Sequence, residues 1–177
     1  MRGFRTGMIG LSIAGSLFAA FPAAARVLNY RAALGGGAAP TDTGSDATGN
    51  ARIRVDTNRK LVSVDLTITG ITLEGLSPVL KARPIGPIHF HKYGSHDHAG
   101  DDVVLVLPLP FGSDYHATAH GLHVTMKNYD YAAGAKLLGS DASLDDFVAA
   151  LDQGQVILNV HTGKFPNGEI SGTVVSG

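Results

Sequence analysis

In residues 61–71, Leu-Val-Ser-Val-Asp-Leu-Thr-Ile-Thr-Gly-Ile, the apolar residues Val62, Val64, Leu66 and Ile68 fall at every second position. A period of two puts all four on one face of an extended strand and scatters them around a helix. Ser63, Asp65, Thr67 and Thr69 take the other face. The strand is therefore half-buried, as in an antiparallel sheet with one wet side. Residues 51–56 alternate in the same way, with Ile53 and Val55 opposed to Arg52 and Arg54, and residues 56–59 make the turn of a hairpin. The 23 glycines and 8 prolines act in the same direction, because frequent turn formers suit many short strands better than a helical bundle. Further strands are expected at 30–34, 88–91, 103–109, 122–126, 155–162 and 169–175, the last two joined by a turn at 163–168. One helix is expected at 143–151: Asp141 or Ser143 caps it, Leu144, Phe147, Val148 and Leu151 form its apolar stripe, and Gly154 ends it. The fold class is all-β: an antiparallel β-sandwich or flattened Greek-key barrel with one short helix.

The N-terminus reads as an address. Arg2 and Arg5 precede an uncharged apolar run at 7–21, Pro22 breaks it, and Ala23-Ala24-Ala25 supplies small residues for cleavage. Residues 1–25 are expected to be a secretory signal peptide, which places the protein in the periplasm or outside the cell. Its removal takes two of the 14 basic residues and leaves 12 against 15 acidic ones, a net charge of −3. No second apolar run of spanning length follows, so no membrane span is expected after cleavage. That charge argues against nucleic acid or another polyanion as partner. With no cysteine, the chain has no disulfide, no thiolate metal site and no thiol nucleophile. A Gly-x-Ser-x-Gly elbow and a Gly-x4-Gly-Lys-Ser/Thr loop are both absent.

The histidines are the chemical signal. There are eight, and His89, His91, His96 and His98 crowd into one short stretch. On a strand, His89 and His91 share a face opposite Ile88 and Phe90, about 6.6 Å apart along the chain. Two imidazoles so placed can reach one ion, each at about 2.0–2.1 Å. His96, His98 and the acids Asp101 and Asp102 follow in a Gly/Ser/Asp loop and either complete that site or make a second one. His161 ends the strand at 155–162, on the same face as Ile157 and Asn159, where it is either a third ligand or a core histidine bonded to backbone. His116, His120 and His123 read as an exposed loop and strand, with one of them as a possible addition to the site. The candidate metal residues are thus His89, His91, His161, His96, His98 and Asp102. Copper or zinc suits imidazole and carboxylate ligands, and binding is expected to weaken as protons compete at about pH 6–7.

Two stretches carry a family resemblance. Asn159-Val160-His161-Thr162, followed by Phe165-Pro166-Asn167-Gly168-Glu169-Ile170-Ser171-Gly172, resembles the closing motif of the CHRD (chordin-type) domain, and Gly86-Pro87-Ile88-His89-Phe90-His91 resembles its other hallmark strand. The resemblance implies a secreted all-β module over 51–177, with 26–50 as an N-terminal strand and a flexible Gly/Ala/Thr loop. It also implies that His161 partners His89 and His91, the family's recurring histidines. The His-x-His strand and the loop after it are also similar to copper/zinc superoxide dismutase, although that family's disulfide cannot form here. Three functions follow, in order: a transition-metal-binding module, a copper-dependent dismutase-like enzyme, and a non-catalytic adhesion module that binds another envelope or extracellular protein.

Overall fold

The computed structural model describes residues 26–38, 40, 42–100 and 102–177. The expected signal peptide and Asp101 lie outside them.

Among the described residues, ten strands and three helices follow in the order β1 (Val27–Gly35), β2 (Thr48–Asp56), β3 (Leu61–Thr69), α1 (Pro78–Lys81), β4 (Ile88–Tyr93), β5 (Val103–Leu109), β6 (Tyr115–Thr118), β7 (Gly121–Asp130), α2 (Tyr131–Leu137), α3 (Leu144–Asp152), β8 (Val156–Val160), β9 (Ile170–Thr173) and β10 (Val175–Ser176). All strand pairs are antiparallel, in one curled sheet ordered β5-β4-β8-β9-β1-β2-β3-β7-β6, with β10 beside β1. The all-β expectation holds. The helix expected at 143–151 is α3, capped by Ser143, whose side chain and that of Asp146 exchange bonds in a capping box. Two shorter helices accompany it. α2 starts at the Asp130 cap, and α1 has Pro78 in its first turn.

The period-two pattern fixes what β2 and β3 bury. In β2 and β3, Ile53 pairs with Val64 and Val55 with Val62, all essentially inaccessible, while Arg52 and Arg54 face solvent. The sheet curls so that these residues and the inner face of β4 and β8 (Ile88, Phe90, Leu158, Val160) belong to one core. α2 and α3 add to it. Tyr131 stacks on Phe147 at 5.2 Å, and Phe147 meets Phe90 edge-on at 6.2 Å. Phe90 thus anchors the strand on which His89 and His91 point the other way. The seam between the sheet's two halves is narrow: β9 meets β1 through the single pair Gly35–Ser171.

Candidate metal centre

β4 and β8 are direct neighbours, and their register sets His89 opposite Asn159 and His91 opposite Ile157. Residues opposite each other in an antiparallel pair share a face. His161 follows one residue past β8, on the face of Asn159, so the three imidazoles converge. Their candidate ligand nitrogens all lie within 4.8 Å of one another. The rings of His89 and His161 stack at 4.5 Å, those of His89 and His91 lie 4.8 Å apart, and those of His91 and His161 5.9 Å apart. Beside His91 the edge strand carries a bulge: Phe90 pairs with Leu107 but His91 with Leu105, leaving Val106 as the extra residue. Bulges bend a strand and recur where a side chain must be aimed.

Backbone carbonyls orient two of the rings. His89 Nδ1 lies 3.0 Å from the Gly86 carbonyl, and His161 Nδ1 lies 2.8 Å from the Pro166 carbonyl. A carbonyl only accepts, so each Nδ1 carries the proton and each Nε2 presents a lone pair. A carbonyl on the far nitrogen is the usual support of a metal-ligating histidine. His91 Nε2 and His161 Nε2 are buried and have no hydrogen-bond partner among the described residues. Leaving such an atom unpaired costs about 1–3 kcal/mol. The geometry therefore keeps the His161 lone pair bare where three rings meet, beside an unpartnered His91 Nε2.

Electrostatics keep the cluster neutral. Desolvation by burial, with repulsion from His161 and His91, lowers the His89 pKa to about 3. Burial and His161 lower that of His91 to about 4. Burial also lowers that of His161, against the opposing hydrogen bond to Pro166. Neutral imidazole is the form that binds a metal.

The turn after β8 carries the support. Glu169 accepts from the Thr162 hydroxyl at 2.6 Å and the Ser45 hydroxyl at 2.7 Å, and its carbonyl accepts from Thr43 at 2.7 Å. The 42–47 segment is thereby pinned onto the turn that holds Pro166. Gly168, at φ +115°, lies so close to Asn159 that any Cβ would meet its amide. Gly86, at φ +71°, packs against the Leu109 carbonyl with no room for a side chain.

The other expected ligands stand apart from the three. His98 is buried, but its Nε2 lies 3.0 Å from the Gly154 carbonyl and its ring packs edge-on against Tyr93. His96 and Asp102 are exposed in the loop beyond β4. His116 and His123 face each other across β6 and β7, and His123 Nε2 lies 3.4 Å from Asp65; His120 sits in the turn between them. Sequence reasoning did not single out Gly86, Pro166, Thr162 or Glu169 as supports. The signal available was their place inside the two quoted motifs.

Fold and site together define an all-β module with a buried three-histidine cluster on the outer face of its sheet. The CHRD domain family model matches residues 30–174, and the chain belongs to that family. No curated protein and no solved structure matches it.

Proposed function

We propose that this domain captures a transition-metal ion, copper or zinc, through His89, His91 and His161, and that it works in the periplasm or outside the cell. One observation carries the reading. Two buried imidazoles, His89 and His161, and the half-buried His91 offer nitrogens within 4.8 Å of one another, and the Nε2 atoms of His91 and His161 have no hydrogen-bond partner among the described residues. Three neutral imidazoles suit Zn(II) with one coordination position left open, and the general affinity order favours Cu(II) over it. The compartment rests on the signal-like N-terminus, and on the family, whose domains occur in extracellular or secreted proteins. No helix among the described residues is long and apolar enough to cross a membrane.

Calorimetric titration of Cu(II) and Zn(II) into the untagged protein tests it. Wild type should bind one ion. His89→Ala should bind at least about a hundredfold more weakly, because water replaces one of three ligands without its orientation. His116→Ala should bind as wild type does. Equal binding by His89→Ala would remove the metal reading and leave the adhesion module as the better one.

A further inference from the structure

The outer face of the other half of the sheet gathers cations that the net charge conceals. The outward residues of β1, β2, β3 and β7 stand in two rows. In the first, Arg31 lies directly opposite Arg52, Arg52 opposite Asp65, and Asp65 opposite Thr125. In the second, Asn29 lies opposite Arg54 and Arg54 opposite Ser63, with Lys127 beside them past a bulge. A groove of about 570 Å³ runs over both rows and is lined by all of these residues.

Two features set it apart from an ordinary wet sheet face. Like charges directly opposite each other on neighbouring strands, as Arg31 and Arg52 are, destabilise a sheet. The one acid in the rows, Asp65, stands opposite Arg52 and 3.4 Å from His123; it offsets one of the four cations Arg31, Arg52, Arg54 and Lys127, so the face keeps a net positive charge. Among the described residues, no side-chain hydrogen bond or ion pair engages Arg31, Arg52, Arg54 or Lys127. Strands lie about 4.8 Å apart and alternate residues about 6.6 Å, so the three arginines rise from neighbouring backbone positions on one face, each carrying a guanidinium able to bond an acidic group in bidentate fashion.

We propose that this face is a binding site for an anionic polysaccharide, a linear glycan bearing carboxylate or sulfate groups. The guanidiniums pair with its acidic groups, and Asn29, Ser63 and Thr125, set between the cations, meet its hydroxyls. The floor of the groove, which includes Tyr30, Ile53 and Val64, is largely apolar and suits the face of a sugar ring, but no large apolar side chain projects from it as a membrane anchor would. The exposed large apolar side chains are Val27, Val79, Val103, Val104, Phe111, Leu137 and Val175, and none of them lines the groove. The site is on a different part of the sheet from the histidine cluster and does not depend on a bound metal.

Binding to immobilised alginate and dextran sulfate, with neutral dextran as reference, tests the proposal over a range of salt concentrations. Wild type should be retained on both anionic polymers, pass freely over dextran, and elute as salt rises. Arg31→Ser/Arg52→Ser/Arg54→Ser should bind at least about tenfold more weakly, while Lys136→Ser, on α2, binds as wild type. The triple variant changes only exposed side chains, and an unchanged circular dichroism with a urea midpoint no lower than that of wild type shows that it is folded. Undiminished binding by the triple variant overturns the proposal. So does equal or tighter binding to phosphatidylglycerol vesicles or to a short DNA duplex, which would make the face a general anion patch.

Discussion

The three histidines carry a pH signature of their own. In an unfolded chain each titrates near 6.5, whereas the fold holds His89 at about 3 and His91 at about 4. Between about pH 4 and 6.5 the unfolded chain therefore binds more protons than the folded one. Stability rises with pH across that window and is lost as pH falls through it, with a slope approaching about 1.4 kcal/mol per unit for each histidine. Above that window all forms are neutral and the slope vanishes. Urea midpoints should hold level from pH 7.5 to about 6.5 and then fall towards pH 4.5 for wild type, and fall more shallowly for His89→Gln/His91→Gln, the difference removing the carboxylates' share. Parallel curves would show that the two rings are not buried as neutral groups. Burial lowers the pKa of all three histidines, so proton competition with the ion should set in below the pH of about 6–7 at which free imidazoles would lose it. Zinc affinity measured from pH 7.5 to 4.5 should locate that fall, and a loss already complete at pH 6 would contradict the buried, neutral cluster.

At the scale of elements, the turn between β8 and β9 holds the site together. His161 is aimed by the Pro166 carbonyl, and that turn is tied to Ser45 and Thr162 by one carboxylate, Glu169. Glu169→Ala removes both charge-assisted bonds and should cost about 2–4 kcal/mol in denaturant unfolding. It should also weaken zinc binding about 10–100-fold, although no ligand is touched. A Glu169→Ala protein with wild-type zinc affinity would sink the idea that the turn positions His161. Gly168→Ala should act in the same direction, because its φ of +115° and the Asn159 amide both exclude a side chain. Elements differ in how legible they were. β3 follows directly from its alternation, and β5 from its apolar run, which stops before Pro110. α2 and β6 do not: seven residues including Gly134 promise little helix, and β6 buries only Tyr115. What holds them is tertiary, the stacking of Tyr131 on Phe147 and the pairing of β6 along β7.

For the whole molecule, a ligand that binds only the folded state adds stability by mass action. At an ion concentration about a hundred times its dissociation constant the gain is about 2.7 kcal/mol, a rise of about 5–11 °C in Tm for a chain of this size. Scanning calorimetry with and without Zn(II) should show that rise in wild type, its reversal by EDTA, and its absence in His161→Ala. An equal rise in His161→Ala would mean that the ion binds elsewhere, for instance at the His116 and His123 pair. Cysteine is absent, so reductant should change none of these values.

Alternation along the chain determined the class of fold and the face each residue takes: Val62, Val64, Leu66 and Ile68 inward, His89 and His91 together, His161 with Asn159. Those are local facts, because the pleat repeats every two residues whatever lies beside it. The two quoted motifs added the family. Only the tertiary structure decided which strands are neighbours, and with that which candidates meet. Pairing β4 with β8 brings His161 to His89, while the chain's turn after Tyr93 takes His98 to the Gly154 carbonyl. Pairing β1 with β2 sets Arg31 against Arg52 and builds a basic face on an acidic protein. Strand pairing depends on contacts between segments far apart in sequence, and periodicity within one segment holds no information about its partner.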